Sequence, residues 1–140
     1  MTKKIYITLI ICFLSNGFSK ITAQDHQSPK HNYVILSKNI QQLEPIIQTS
    51  QSLQKEDASL YGDFIVIFCG KTVELMKQNT TFIQQLKKAK KQNIIVYACG
   101  ISLNKFQIDR TTLPPNIQVV NNAILLALQL KKRGYFSLTI

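Results

Sequence analysis

The sequence is poor in the residues from which most catalytic and metal sites are built. It contains two histidines, seven acidic residues and three cysteines among 140 residues. Both histidines, His26 and His31, fall in a polar stretch where nothing would fix an imidazole in a cleft, which argues against a Ser–His or Cys–His triad. The acids are scattered without an evident catalytic pair, and the cysteines do not make a zinc set. The sequence therefore predicts neither a metal nor a cofactor.

Glycine is also scarce, and its placement argues against the common phosphate-binding loops. Residues 69–72, Cys-Gly-Lys-Thr, end as a Walker loop ends but lack its leading glycine and its spacing. No C-x-x-C pair occurs, which argues against a thioredoxin-type redox site. Internal repeats and low-complexity tracts are missing as well, so a repeat architecture is not expected.

What is present fits one globular domain with a basic surface. A chain of 140 residues that is 45% hydrophobic and 17% charged is long enough for a single core. Lysine and arginine number 17 against 7 acids. The clusters at 87–91 and 131–133 could bind anionic polymers or lipids. The first lies at a predicted helix end without interleaved aromatics, so a solvated face that complements the helix dipole is favoured, and no nucleic acid is expected.

Residues 1–24 have the layout of a secretory signal peptide. Lys3 and Lys4 form a positive n-region, residues 5–14 an apolar core, and residues 15–24 a more polar stretch that ends Thr-Ala-Gln. The apolar core is about half of the ~20 residues needed to span a bilayer, so no stable membrane anchor is expected. We expect cleavage near position 23 or 24 and a protein that is exported, either periplasmic or secreted.

The expected mature chain consists of a flexible lead-in over residues 25–31 and one domain over residues 32–140. Removal of the signal peptide takes Cys12 with it and leaves Cys69 and Cys99. Because an exported protein meets an oxidising environment, these two thiols could form a disulfide.

Within the domain, apolar strands alternate with helical segments. Strands are predicted at 33–36, 64–69, 94–99, 117–120 and 135–140. Helices are predicted at 41–54 (with a true start near Glu44), 71–78, 79–91, 102–106 and 121–133. The alternation predicts a three-layer α/β/α sandwich around a mostly parallel sheet of about five strands.

The stretch from residue 94 to residue 102 is the centre of this pattern. Five apolar residues run into Cys99, and Gly100 follows. Apolar residues without alternation indicate a strand buried on both faces, and ligands of such sheets bind outside the carboxyl ends of the strands. N–H groups at the start of the next helix would favour the thiolate of Cys99. The alternative is that Cys99 is a small buried apolar residue.

Two segments carry a family resemblance: residues 63–75, DFIVIFCGKTVEL, and residues 98–106, ACGISLNKF. Both resemble the DsrE/DsrF-like family. The end of the last helix and the Gly-Tyr pair that follows it, at residues 130–135, also resemble the corresponding segment of this family. The resemblance covers about residues 32–140, nearly the whole expected mature chain.

This resemblance implies a DsrE-like layered α/β fold that assembles with itself as a homotrimer or homohexamer. It also implies sulfur relay, in which Cys99 carries a persulfide between a donor and an acceptor protein. Both proteins are unknown here. Gly70, Gly100 and Ser102 are the candidate substrate-binding residues beside it, and Cys69 is a possible second thiol to which the resemblance assigns no role.

Two functions therefore remain open from the sequence. The first is an exported sulfur carrier or sulfurtransferase-like protein that takes up sulfane sulfur on Cys99. The second is a non-enzymatic binding or assembly module in which Cys69 and Cys99 are structural. If the second and third strands are neighbours, the two cysteines lie within disulfide reach. The face of the sheet on which each cysteine lies is left open, because these strands show no alternation of apolar and polar residues. We expect Cys99 to be the more reactive thiol.

Overall fold

The computed structural model describes residues 29–140; residues 1–28, with the predicted signal peptide and most of the lead-in, lie outside the described residues. The strands are β1 (His31–Ser37), β2 (Tyr61–Phe68), β3 (Ile94–Cys99), β4 (Ile117–Val120) and β5 (Phe136–Thr139). The α-helices are α1 (Leu43–Asp57), α2 (Thr80–Lys91), α3 (Gly100–Lys105) and α4 (Ala123–Lys132). Short 3-10 turns occupy Ile40–Gln42, Ala58–Leu60, Gly70–Leu75 and Arg110–Thr112.

The five strands form one sheet in the order β4-β3-β2-β1-β5, and every pairing is parallel. Helices α1 and α2 pack on one face and α4 on the other. The predicted α/β sandwich is therefore confirmed. None of the helices in residues 29–140 is both long and apolar enough to cross a membrane.

The two faces of the sheet explain why the central strands show no alternation. On β2, Phe64, Val66 and Phe68 pack with α1 and α2, whereas Ile65 and Ile67 pack with α4. Both sets are buried because both faces are covered, as a parallel sheet requires. A continuous apolar run is the result.

The helix ends follow local chemistry that the sequence displays. Asn79 accepts the N–H of Phe82 at 2.9 Å and begins α2, and Asn122 accepts the N–H groups of Ile124 and Leu125 and begins α4. Such caps satisfy N–H groups that have no partner within the helix. After α4, Gly134 takes a left-handed φ of +88°, a conformation that commonly ends a helix.

Two predicted segments were wrong. Residues 71–78 were expected to form an α-helix, but Gly70–Leu75 is a 3-10 turn. The buried hydroxyl of Thr72 in this turn accepts the N–H of Ile40 at 2.9 Å, which ties it to the segment before α1. The helix predicted at 41–54 was wrong at its end, because α1 continues to Asp57, and β2 begins at Tyr61 rather than at residue 64.

The start of β1 includes the last residue of the expected lead-in. His31 pairs with Tyr61 on β2, and its Nδ1 lies 2.8 Å from Oδ1 of Asp57 at the end of α1. The Tyr33 hydroxyl donates to the other carboxylate oxygen of Asp57 at 2.5 Å. These contacts anchor the beginning of the domain, because they join β1 to the end of α1.

Candidate functional site

The site lies where the carboxyl ends of the strands meet along one edge of the sheet. Phe68 on β2 is level with Ala98 on β3, and Ala98 is level with Val119 on β4. Cys69 and Cys99 each come one residue later. The structure thus brings the two predicted thiols to neighbouring strand ends.

Both thiols lie on the face of the sheet that α4 covers. Cys69 continues β2 with extended backbone angles, and it packs with Cys99 in the apolar cluster that includes Ile67 and Tyr97. Adjacent strands are about 4.8 Å apart. That separation is within the Cα range of a disulfide, ~4.4–6.8 Å. Both cysteines are free thiols in the structure.

Cys99 is buried, with 4% of its surface exposed, yet its sulfur has polar partners. Burial by itself raises the pKa of the Cys99 thiol, but hydrogen bonds from the backbone at Ala123, Ser102 and Ile101 and from the Ser102 side chain outweigh it. The pKa of Cys99 is therefore lowered. The sulfur lies between the first turns of α3 and α4, where N–H groups without helical partners stabilise an anion.

Cys69 has the opposite character. It is partly exposed, and burial, followed by the neighbouring Cys99 charge, raises the pKa of its thiol, while Lys38 acts in the lowering direction. At neutral pH the Cys69 thiol therefore holds its proton more strongly than the Cys99 thiol. The two cysteines form an asymmetric pair.

Ser102 connects the two strand ends. Its buried hydroxyl oxygen accepts the Gly70 N–H at 2.8 Å, and Ser102 is also one of the groups that lower the pKa of the Cys99 thiol. Gly70 has a φ of +78°, a left-handed conformation that glycine adopts without steric cost. Gly70 and Ser102, which were predicted as substrate-binding residues, here orient the backbone and the thiol of the site.

Gly100 is needed for close packing beside Cys99. A Cβ at this position would lie 3.0 Å from Nη2 of Arg110 and 3.1 Å from the carbonyl oxygen of Val120. It would also lie 3.2 Å from the carbonyl oxygen of Asn121, which accepts the N–H of Ile101 at 3.1 Å. A side chain here would push α3 away from the end of β4.

Sequence reasoning missed three contributors to the site. Lys38 follows the end of β1, and its aliphatic chain approaches Gly70. Its position directly after a strand end could have identified it as a site residue from the sequence. Arg110 reaches Gly100 from a turn that no motif marks. Ala123 contributes a backbone N–H, which leaves no side-chain signature. Within residues 29–140, no group of three His, Cys, Asp or Glu side chains is placed to hold a metal ion.

Solved structures share the fold of this chain. Protein MTH1491 of unknown function from Methanobacterium thermoautotrophicum has a TM-score of 0.65 and 13% identity, over 81% of this chain and 100% of its own. The conserved protein of unknown function BT1422 from Bacteroides thetaiotaomicron has a TM-score of 0.61 and 18% identity, over 78% and 94% of the two chains. The ychN protein from E. coli has a TM-score of 0.55 and 14% identity, over 79% and 99%.

The likeness to these three structures confirms the layered α/β fold expected from the sequence. At this level of identity it supports the fold alone. No protein-family model and no curated protein matches the chain.

Proposed function

We propose that this protein is a sulfur carrier or sulfurtransferase-like protein that takes up sulfane sulfur on Cys99. The observation that carries the proposal is the placement of the Cys99 sulfur between the first turns of α3 and α4, which lowers the pKa of its thiol although the residue is buried. A thiolate is the nucleophile that attacks sulfur. The DsrE-like fold agrees with this role.

The uptake step needs only a thiolate and a donor. The Cys99 thiolate attacks the sulfane sulfur of the donor, a bond forms between the two sulfur atoms, and the rest of the donor leaves with the bonding electron pair. Sulfane donors such as polysulfides are anions. Lys38 beside Cys69 and Arg110 beside Gly100 supply positive charge at this edge, which favours an anionic donor.

The competing function is a binding or assembly module in which the cysteines are structural. The burial of Cys99 favours it, because free cysteine is among the most buried residue types. A structural cysteine would take up no sulfur. The same experiment therefore separates the two functions.

The test is intact mass after incubation of the full chain with inorganic polysulfide. Every variant carries Cys12→Ser, so that only Cys69 and Cys99 can react. We expect Cys69→Ser to gain one sulfur and Cys69→Ser/Cys99→Ser to gain none. Failure of the Cys69→Ser variant to gain sulfur, with an unchanged circular dichroism spectrum, would leave the structural role as the better account.

We further propose that the protein is exported to the periplasm or secreted, since residues 1–24 have the pattern of a signal peptide. N-terminal sequencing of the protein outside the cytoplasm should begin near Gln24 or Asp25. Recovery of a chain that begins at Met1 in the membrane fraction would contradict this proposal.

We also propose that the chain assembles with itself, as a homotrimer or homohexamer. Ile124 and Leu128 on α4 are 63% and 56% exposed, and Phe136 and Leu138 on β5 are each 58% exposed. Between α4 and β5 lies a cleft of about 250 Å³ whose lining includes Ile124, Leu128 and Leu138. Apolar surface concentrated in this way is typical of an interface, and identical subunits close it by symmetry.

A further inference from the structure

The arrangement of the two thiols points to a second step after sulfur uptake. We propose that Cys69 resolves the persulfide formed on Cys99, which releases sulfide and leaves a Cys69–Cys99 disulfide. This inference rests on the proposed function, because it needs a persulfide on Cys99. It assigns to the protein a product, sulfide, and a need for a reductant.

The geometry that supports the step is the shared face and level of the two residues. Cys69 and Cys99 follow the paired residues Phe68 and Ala98, and both side chains belong to the cluster under α4. Parallel strands are about 4.8 Å apart, which is within the Cα separation that a disulfide accepts. Two cysteines on opposite faces of the sheet could not react in this way.

Burial makes Cys69 the most accessible acceptor for sulfur chemistry at Cys99. Only 4% of Cys99 is exposed, so a thiol that already packs beside it is better placed to reach its sulfur than a thiol arriving from solvent. Cys69 already packs against this cluster and is partly exposed itself. The neighbouring thiol can therefore react with a persulfide on Cys99 within the same chain.

The step balances without an outside oxidant. The Cys69 thiol loses its proton and its sulfur attacks the Cys99 sulfur. The new Cys69–Cys99 bond forms, and the bond to the outer sulfur breaks. The outer sulfur leaves as hydrosulfide with the bonding pair and a proton. In this step the outer sulfur is reduced by one electron and the Cys69 sulfur is oxidised by one. Over uptake and resolution together, the sulfane sulfur is reduced by two electrons and the two cysteine sulfurs are each oxidised by one. A dithiol must then reduce the disulfide by exchange before the next cycle.

The opposite chemistry of the two thiols fits this order of events. The more acidic thiol, Cys99, is the one that would attack the donor first, and Cys69, whose pKa is raised, stays protonated during uptake. The Ser102 hydroxyl accepts the Gly70 N–H at 2.8 Å, which joins the segment after β2 to the helix after β3.

The experiment follows the fate of the sulfur in the full chain, again with Cys12→Ser throughout. Reduced protein is loaded with inorganic polysulfide and desalted, and the released sulfide and the intact mass are followed with time. With both Cys69 and Cys99 present, we expect about one sulfide per chain and a final mass two hydrogens below the reduced protein, as the step requires. In Cys69→Ser the persulfide should persist, with sulfide release slower by roughly a hundredfold, because the intramolecular nucleophile is lost. Cys69→Ala is the matched second variant and should behave as Cys69→Ser does.

The two proposals fail in different ways. A persulfide that persists equally with and without Cys69 would overturn the resolving role of Cys69 and leave sulfur uptake on Cys99 intact. A Cys69→Ser chain that takes up no sulfur would overturn the proposed function, and the resolving step with it. Sulfide release without disulfide formation would also overturn the inference, since the two products are coupled.

Discussion

Two helices in this fold begin with the same type of cap, and only one of these caps lies beside the candidate site. Asn79 begins α2 on the face away from the cysteines, and Asn122 begins α4, whose first N–H group, at Ala123, reaches the sulfur of Cys99. Replacing each asparagine with alanine therefore gives a matched pair of perturbations. Both remove a cap, but only Asn122→Ala also loosens a hydrogen bond to Cys99.

The expected loss of stability is similar for both variants. Replacement of an asparagine N-cap by alanine costs about 1 kcal/mol of unfolding free energy. For a domain of this size that corresponds to a fall in Tm of about 4 °C. The difference lies at Cys99: in Asn122→Ala the first turn of α4 frays, the Ala123 N–H moves away, and the pKa of the Cys99 thiol rises. In Asn79→Ala the pKa of Cys99 should stay as it is.

The assay is the rate of alkylation by iodoacetamide against pH, in chains that carry Cys12→Ser and Cys69→Ser so that only Cys99 reacts. The inflection should move to higher pH in Asn122→Ala alone, and Asn122→Ser, which restores a good cap, should bring it back. Equal profiles for the two alanine variants would refute the reasoning that the first turn of α4 stabilises the thiolate. A shift of both profiles would show that the pKa of Cys99 responds to a general loss of stability instead.

Further outcomes are expected elsewhere in the molecule. Burial and the hydrogen bond to Asp57 raise the pKa of Tyr33 from 10.0 to about 12. The unfolded chain loses this proton first, so the free energy of unfolding falls as the pH rises from 10.0 to about 12. The urea midpoint should therefore fall less steeply with pH in Tyr33→Phe than in the wild type, and equal slopes would contradict the contact. Ser102→Ala leaves the Gly70 N–H without its acceptor and should lower the free energy of unfolding in urea by about 1–3 kcal/mol. The control is the exposed serine in Ser52→Ala, and an equally small loss in both variants would contradict the role of this hydrogen bond. Sedimentation at micromolar concentration should show an assembly that Leu128→Lys dissociates, whereas a monomeric wild type would refute self-association.

The fold was predictable because each strand is a compact apolar run with turn residues on either side. The order of the strands was not, since all five are apolar and any of them could occupy the centre. The placement of β5 beside β1 depends on packing between residues far apart in the chain, such as Tyr33 and Phe136. Local patterns contain no information of that range. For the same reason the 3-10 turn at Gly70–Leu75 was mistaken for a helix, because a contact between Thr72 and Ile40 decides its shape.

The candidate site was predictable in its position but not in its electrostatics. Cys99 before Gly100 at the end of an apolar run was sufficient to place the thiol at the sheet edge. The direction in which it faces required the register of β2 and β3, because both faces of these strands are buried. The partner that distinguishes Cys99 most is the N–H of Ala123, a backbone group whose position is set by the packing of α4.

The pairing of the first strand with the last has a consequence for the order in which the molecule forms and opens. Tyr33 pairs with Phe136, about a hundred residues later. Closing a loop of that length costs entropy and therefore slows the pairing. All four residues of β5 remain exposed after the strand docks. The strands β1, β2 and β3 have neighbours on both sides, whereas β5 has one. We therefore expect β5 to join last during folding and to detach first in the native state, so that its amide hydrogens exchange with solvent well before those of β2 and β3.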